Sequence, residues 1–580
     1  MNIQKIIELL PHSHRRSGIG VTISVLIRAL FNFAGLAILI PIFILLFDAG
    51  GISEDSIMGK FRQWTTIADD NTFIVVVCII ILCFIILKNV GNKLLAIFQI
   101  KYVTSLYRYY SGKLFENYYK RGLLFIKNTN TTALSYKING VCYSLSQYVL
   151  SLSFTMLGEA MLLLLIWIGL ALYSLKIALF TIFCFLPVIW LYFYVVRREL
   201  EKNGRAENEV RRKQARIVSE TFKGYVEMEI NNAFPLFKKR FEEGLSLISY
   251  YRERTDRVLR VPSEMIEIGV VVVMALLVLL SNGNDEMKVM FGVFAVAILR
   301  MLPAVKTLMS GWAQLKNNTY AIDIIKEVIE FEKNERNEKN ERNEKNERMK
   351  NEKISSPVIF KHKIEVDNIT FRFPDSSETE KPVIENFSMT IFKGERVGIR
   401  GASGIGKSTL FNLLLGFYTP QNGTIYVDGK PLEETNLAMW HAIVGYVPQD
   451  VFIMDGTLAQ NIALGENIES IDRHRIIEIL EQVSLKTYAD ALPQGIDSRM
   501  GESGSLLSGG QRQRIGIART LYKQAEILLF DEATSSLDSS TEREITNAIK
   551  ELSSGNKTLT IVIISHRESS LSFCDRIISL

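Results

Sequence analysis

The run RVGIRGASGIGKSTLFNLLLGF, Arg396–Phe417, decides the fold of the second half of this 580-residue chain. It reads as a short apolar strand, a glycine-rich turn and a helix with one apolar face. Within it GASGIGKS matches the phosphate-loop pattern GxxxxGK[ST]. Gly401, Gly404 and Gly406 let backbone amides wrap closely around phosphates, Lys407 reaches the terminal phosphates, and the Ser408 hydroxyl suits Mg2+. Ser403 and Thr409 are assigned to the same cradle. Around this loop, from Ile364 onward, short apolar runs alternate with helical segments, so an α/β domain with a largely parallel sheet is expected.

Downstream, AEILLFDEATSSLD, Ala525–Asp538, is a buried strand ending in two carboxylates. Strand ends at this edge of a parallel sheet are where ligands bind. Asp531 is expected in the Mg2+ shell and Glu532 as the general base that polarises an attacking water. The strand TLTIVIISH brings His566 to the same edge, and VGYVPQD places Gln449 after another strand, long enough to reach metal and water. A further stretch, LLSGGQRQR, Leu506–Arg514, is a Gly-Gly turn opening a basic helix, and its free amides also suit an anion.

The first half is different in kind. Apolar residues concentrate in the first 310 positions, and six segments approach the ~20 apolar residues that cross a ~30 Å hydrocarbon core. They run over 19–47, 73–97, 148–173, 177–196, 265–280 and 289–310. The long stretches 101–147 and 197–264 are rich in Lys and Arg, which places them on the cytoplasmic side. Both keep helical apolar spacing, so the spanning helices are expected to continue into the cytosol and turn near 125–138 and 219–230. The N-terminus, MNIQKIIELLPHSHRR, lacks the apolar core of a signal peptide. Cys78, Cys83, Cys142, Cys184 and Cys574 have no metal or redox spacing and read as packing residues. The net charge of +5 comes with no basic block interleaved with aromatics, so nucleic acid gains no support as a partner. The tract NERNEKNERNEKNERMKNEK, Asn334–Lys353, has charges four apart and almost no apolar residue, which reads as a solvated helical linker. The expected division is a membrane domain over 1–330, this linker over 331–357, and the α/β domain over 358–580.

The set GASGIGKS, VPQD, LLSGGQRQR, ILLFDEATSSLD and IISH, in this order, resembles the ATP-binding domain of ABC transporters. Six spans ahead of it resemble an exporter-type half-transporter. That resemblance implies an α-helical membrane domain of six spans followed by an α/β P-loop ATP-binding domain, with ATP and Mg2+ as cofactors. It implies that Ser508, Gly509, Gly510 and Gln511 close over the ATP of a second chain, with Asp538 lining the interface. Phe373 stands where an aromatic stacks on adenine. The catalytic group is then Glu532, His566 and Gln449; the metal group is Ser408, Gln449 and Asp531.

The implied activity is ATP-driven export or flipping of an amphipathic substrate across a plasma membrane, the bacterial inner membrane, with the ATP-binding domain in the cytoplasm. A gated channel or regulator, and a peptide or drug cargo, are the alternatives. The intact motifs favour a homodimer over a heterodimer with one degraded site. Ser503 stands where the family commonly has Arg. The chain stops at Leu580, where the family usually continues, so some loss of stability is expected. Arg28, Lys88, Glu159 and Arg300 are charged positions within spans, and charges there are costly unless they face protein or water.

Overall fold

The computed structural model describes residues 10–38, 63–64, 70–173, 175–280, 285–349, 360–374, 381–402, 404–533, 539–555 and 558–580. They form two compact units, Met1–Arg342 and Asn343–Leu580.

The first unit is helical: α1 His12–Ala37, α2 Asp70–Lys120, α3 Gly122–Asn128, α4 Thr131–Tyr136, α5 Leu152–Tyr173, α6 Leu175–Lys223, α7 Tyr225–Ile230, α8 Phe234–Leu280, α9 Asp285–Asn317 and α10 Thr319–Met349. The 51 residues of α2 span about 75 Å at 1.5 Å each, more than twice the hydrocarbon thickness. That length is what a span continuing past the membrane, as expected from the sequence, would need. Among the described residues, Ser13–Ala37, Thr72–Lys120 and Thr131–Leu172 are long and apolar enough to cross a membrane. The first expected span reaches Phe47, and its last part lies outside the described residues.

One face of α2 explains how its polar half packs. Tyr102, Leu106, Tyr110, Leu114 and Tyr118 recur every fourth residue and are all buried, so they stack along a single stripe. That stripe meets Val141, Cys142, Leu145 and Val149, together with Ala321, Ile325 and Val328 of α10. Higher on α2 the apolar residues are exposed instead, Leu87 and Leu94 among them, as a lipid-facing surface requires. Cys78 and Cys83 share that exposed surface, so these two do not pack in a core as expected; the apolar run they occupy faces outward.

Both expected turns are present, the second with its reversal just beyond 219–230. At the first, the Asn130 side chain accepts from the backbone N–H of Thr132 (2.9 Å) and Ala133 (3.3 Å), capping α4. At the second, α6 ends at Lys223 and the chain reverses through Asn232, whose φ is 47°. Between α4 and α5 the helix widens into π-helical segments, Lys137–Val141 and Leu145–Ser151. Side chains of α2 satisfy carbonyls there: Ser111 Oγ donates to Ile138 O (3.0 Å) and Gln99 Nε2 to Ser151 O (3.4 Å). The charged repeat continues α10 as helix to Met349.

The second unit carries two sheets. Strands β1 Lys363–Phe371, β2 Ile384–Phe392, β3 Arg396–Arg400, β4 Asn422–Val427, β5 Lys430–Pro431, β6 Val444–Val447, β7 Ile527–Asp531, β8 Thr560–Ile564 and β9 Arg576–Ser579 alternate with helices that include α11 Lys407–Leu414. The expected parallel sheet has order β6-β7-β8-β3-β9. ILLFD and TIVII are buried at every position, as strands covered on both faces must be. A separate antiparallel sheet, β2-β1-β4-β5, was not foreseen. Its β1, KIEVDNITF, buries alternate residues in its first half, the mark of a strand with one wet face.

Candidate ATP site

The phosphate loop links β3 to α11. Gly406, at the N-cap of α11, has φ 110°, and a Cβ there would stand 2.9 Å from Val383 O and Val383 Cγ1. Only glycine fits, for both conformation and space. At Gly404 (φ 81°) a side chain would meet nothing within 4 Å, so the constraint is conformational alone. Ser403 lies outside the described residues.

Lys407 folds back over its own loop. Its Nζ donates to Gly401 O and Ala402 O, both at 3.0 Å, and the side chain is only 5% exposed. One residue on, Ser408 Oγ donates to Asp531 Oδ1 (3.1 Å), joining the first turn of α11 to the end of β7. Thr409 follows in the same helix. Burial raises the Asp531 pKa; hydrogen bonds from Ser408 and Tyr446 oppose this, and the Glu532 carboxylate adds to it.

Tyr446 is a member of this group that the sequence reading missed. Its hydroxyl donates to Asp531 Oδ2 (3.3 Å), and burial next to Asp531 raises its own pKa. A signal existed: Tyr446 pairs with Leu529 across β6 and β7, and Asp531 is two residues further, on the same face.

Glu532 has left the strand, with φ 48°, while its backbone N–H still donates to Ile564 O (3.0 Å). Its carboxylate Oε1 lies 2.9 Å from His566 Nε2 and 3.7 Å from Lys407 Nζ. His566 Nε2 is also 2.7 Å from Lys407 Nζ. One imidazole nitrogen cannot serve both neighbours: protonated it donates to Glu532, and unprotonated it accepts from Lys407. The structure thus brings Lys407, Ser408, Asp531, Glu532 and His566 together at one edge of the sheet.

Other expected residues stand apart from that cluster. Gln449 is exposed on the loop after β6, and its backbone carbonyl accepts from Gln513 Nε2 (2.7 Å). Phe373 packs edge-on against Phe371 (5.2 Å) and Tyr418 (5.9 Å), an aromatic group that includes the unforeseen Tyr418. Ser508 heads a helix spanning Gly509–Tyr522, with a reciprocal cap: its Oγ accepts from Gln511 N (3.2 Å), and Gln511 Oε1 accepts from Ser508 N (2.8 Å). Ser508 keeps its own proton to donate elsewhere. Ser503 adopts φ 54° just before it. Asp538 lies outside the described residues.

Apolar helices long enough to cross a membrane, together with a phosphate-loop domain, define an ATP-binding membrane protein. Residues 384–535 match the model of the ABC transporter family. The chain is 31% identical over 399 residues to the ATP-dependent lipid A-core flippase of Burkholderia pseudomallei, 68% of this chain and 63% of that protein. A flippase of the same description from Ralstonia nicotianae is 28% identical over 477 residues, 81% and 76% of the two chains. The match to the first of these relatives thus spans somewhat less than two thirds of its length. A bacterial Atm1-family ABC exporter solved with ATP bound superposes with TM-score 0.76 at 20% identity, over 98% of this chain and 93% of that one. Residues 384–535 thus carry an ABC transporter domain, and over its length the chain has the fold of that exporter. It is a multi-pass membrane protein whose ATP-binding domain is cytoplasmic.

Proposed function

We propose that the protein is an ATP-driven exporter or flippase that works as a dimer of two such chains. The observation that carries this reading is the cluster of Lys407, Ser408, Asp531, Glu532 and His566 at the sheet edge. It sets two carboxylates, a hydroxyl, an ammonium and an imidazole side by side, as γ-phosphate cleavage would use them. Glu532 takes a proton from water as the water oxygen bonds to the γ-phosphorus, and the bond to the bridging oxygen of ADP breaks. Lys407 and His566 hold the negative charge of the phosphate oxygens. Gln449 orients the water, and Phe373 provides an adenine-stacking face.

The donor set also fits Mg2+, which prefers hard oxygen ligands: the Asp531 carboxylate is 5% exposed and a hydroxyl is already bonded to it. Ser408, Asp531 and Gln449 would hold the ion, which neutralises phosphate charge when bound. Completion of the site falls to the Ser508–Gln511 segment of a second chain. Among the described residues, none of that segment's hydrogen bonds reaches its own phosphate loop. The same motifs in both chains support a homodimer.

An anionic amphiphile, such as a glycolipid, is the proposed cargo. Two curated relatives are named as lipid A-core flippases. In the helical unit Arg28 Nη1 donates to Gln99 Oε1 (2.9 Å), while Arg28 Nε is buried without a hydrogen-bond partner among the described residues. Such a guanidinium is suited to an acidic headgroup.

The test uses proteoliposomes containing a labelled anionic lipid. Expected are ATP-dependent accumulation of the lipid in one leaflet and its loss in Glu532→Gln. Downhill equilibration alone, unaffected by Glu532→Gln, would refute the exporter reading and indicate a gated channel.

A further inference from the structure

The helix headed by Ser508 does more than present its N-terminus. Along one side it carries Gln513, Gly516 and Thr520, spaced three and four apart, and this side lies on β6 and the loop that follows it. The fit is close. A Cβ on Gly516 would stand 2.9 Å from Val451 Cγ2 and 3.2 Å from Val447 Cγ1. A Cβ on Gly445 of β6 would stand 2.6 Å from Thr520 Cβ. Helix and strand touch through glycines, leaving little slack for one to move without the other.

Gln513 fastens this contact to the loop that carries Gln449. Its side chain is 3% exposed, and Nε2 donates to Gln449 O (2.7 Å) and Pro448 O (3.3 Å). Both partners are carbonyls, so the amide nitrogen must face them. Its Oε1 is buried with no hydrogen-bond partner among the described residues. A purely packing residue at this site would be apolar, because an unpaired buried oxygen is unfavourable. At the loop's far end, Arg519 donates from Nη1 to Phe452 O (2.6 Å) and from Nε to Asn461 O (2.5 Å).

We propose that Gln513 is a positioning residue that locks the backbone of Gln449 to the Ser508 helix, so that closure of that helix over the partner's ATP sets Gln449 in the chain's own site. One rigid helix then couples the two ATP sites of the dimer. This rests on the shared-site reading above. Gln513 touches neither nucleotide and acts through Gln449.

The experiment uses the full-length protein in proteoliposomes, with Gln513→Met and Gln513→Glu. Met keeps the length and removes both donated bonds and the unpaired oxygen; Glu sets an oxygen against the two carbonyls. The readouts are ATP affinity, kcat and KM for ATP, the Hill coefficient and the melting temperature. Expected in Gln513→Met are unchanged ATP affinity and melting temperature, kcat lowered about tenfold with KM within about twofold, and a Hill coefficient falling toward 1. Gln513→Glu is expected to lower kcat further. Wild-type kcat and Hill coefficient in Gln513→Met would overturn the proposal, as would a kcat that falls only in step with the folded fraction. A wild-type Hill coefficient of 1 would also overturn the coupling, whereas failure of Lys407→Ala and Ser508→Ala chains to recover activity on mixing would instead refute the shared-site reading.

Discussion

Replacing Glu542 by Gln should loosen the segment that follows His566, and the size of the effect can be worked out. Glu542 lies in the helix Ser539–Gly555 and is 5% exposed. Its carboxylate accepts from Ser569 Oγ (2.6 Å) and Ser570 Oγ (3.0 Å) and is paired with Arg567. Burial alone would raise its pKa, but the bonds from Ser569, Arg567 and Ser570 outweigh it and hold the pKa low. Breaking a buried ion pair costs about 3–5 kcal/mol. Two features reduce that figure: Gln keeps one oxygen acceptor, and the Arg567 side chain is 36% exposed, so water solvates the charge left behind. We expect about 2 kcal/mol, and at about 2–4 °C per kcal/mol a fall of about 4–8 °C in the melting temperature of the ATP-binding unit.

The pH dependence should change as well. A carboxylate held below its ordinary value of 4.5 stabilises the fold above that pH and loses the contribution as pH falls through the lowered value. The variant should therefore lie closest to wild type at the acid end, below 4.5, and furthest at neutral pH. The assay is thermal unfolding of the full-length protein in detergent between about pH 3 and 7, with ATPase activity measured in parallel. An unchanged melting temperature at pH 7, or a difference that grows on acidification, would refute the reasoning.

Other outcomes follow from the same geometry. Mixing equal amounts of Lys407→Ala and Ser508→Ala chains should restore ATPase from two inactive proteins to at most about a quarter of wild type, since half the dimers carry one whole site; no recovery counts against shared sites. Gly406→Ala should abolish ATP binding in an equilibrium titration, because φ 110° and the carbonyl of Val383 both oppose a Cβ. Tyr446→Phe removes one of two hydroxyl donors to Asp531 and should raise the Mg2+ concentration needed for half-maximal ATPase several-fold, with little effect on metal-free ATP binding.

Much of this protein was legible in its sequence because its chemistry is local. A phosphate loop is a strand, a tight turn and a helix in consecutive residues, so spacing alone puts Gly406 and Lys407 at the turn into the helix. Strands buried on both faces, ILLFD and TIVII, are unbroken apolar runs, and spans are longer ones. The stripe from Tyr102 to Tyr118 shows in the same way, every fourth residue.

Only the tertiary structure decided what depends on which strands become neighbours. Tyr446 and Asp531 are 85 positions apart, and their hydrogen bond exists because β6 and β7 pair in one register. Lys407 and His566 meet across 159 positions because β3 and β8 are adjacent. Gln513 looked like an ordinary residue of a basic helix, and its hold on Gln449 comes from two glycines that let that helix lie against a strand. Hydrogen bonds need partners within about 3 Å, and in a parallel sheet the order of strands, which local sequence does not encode, determines who those partners are.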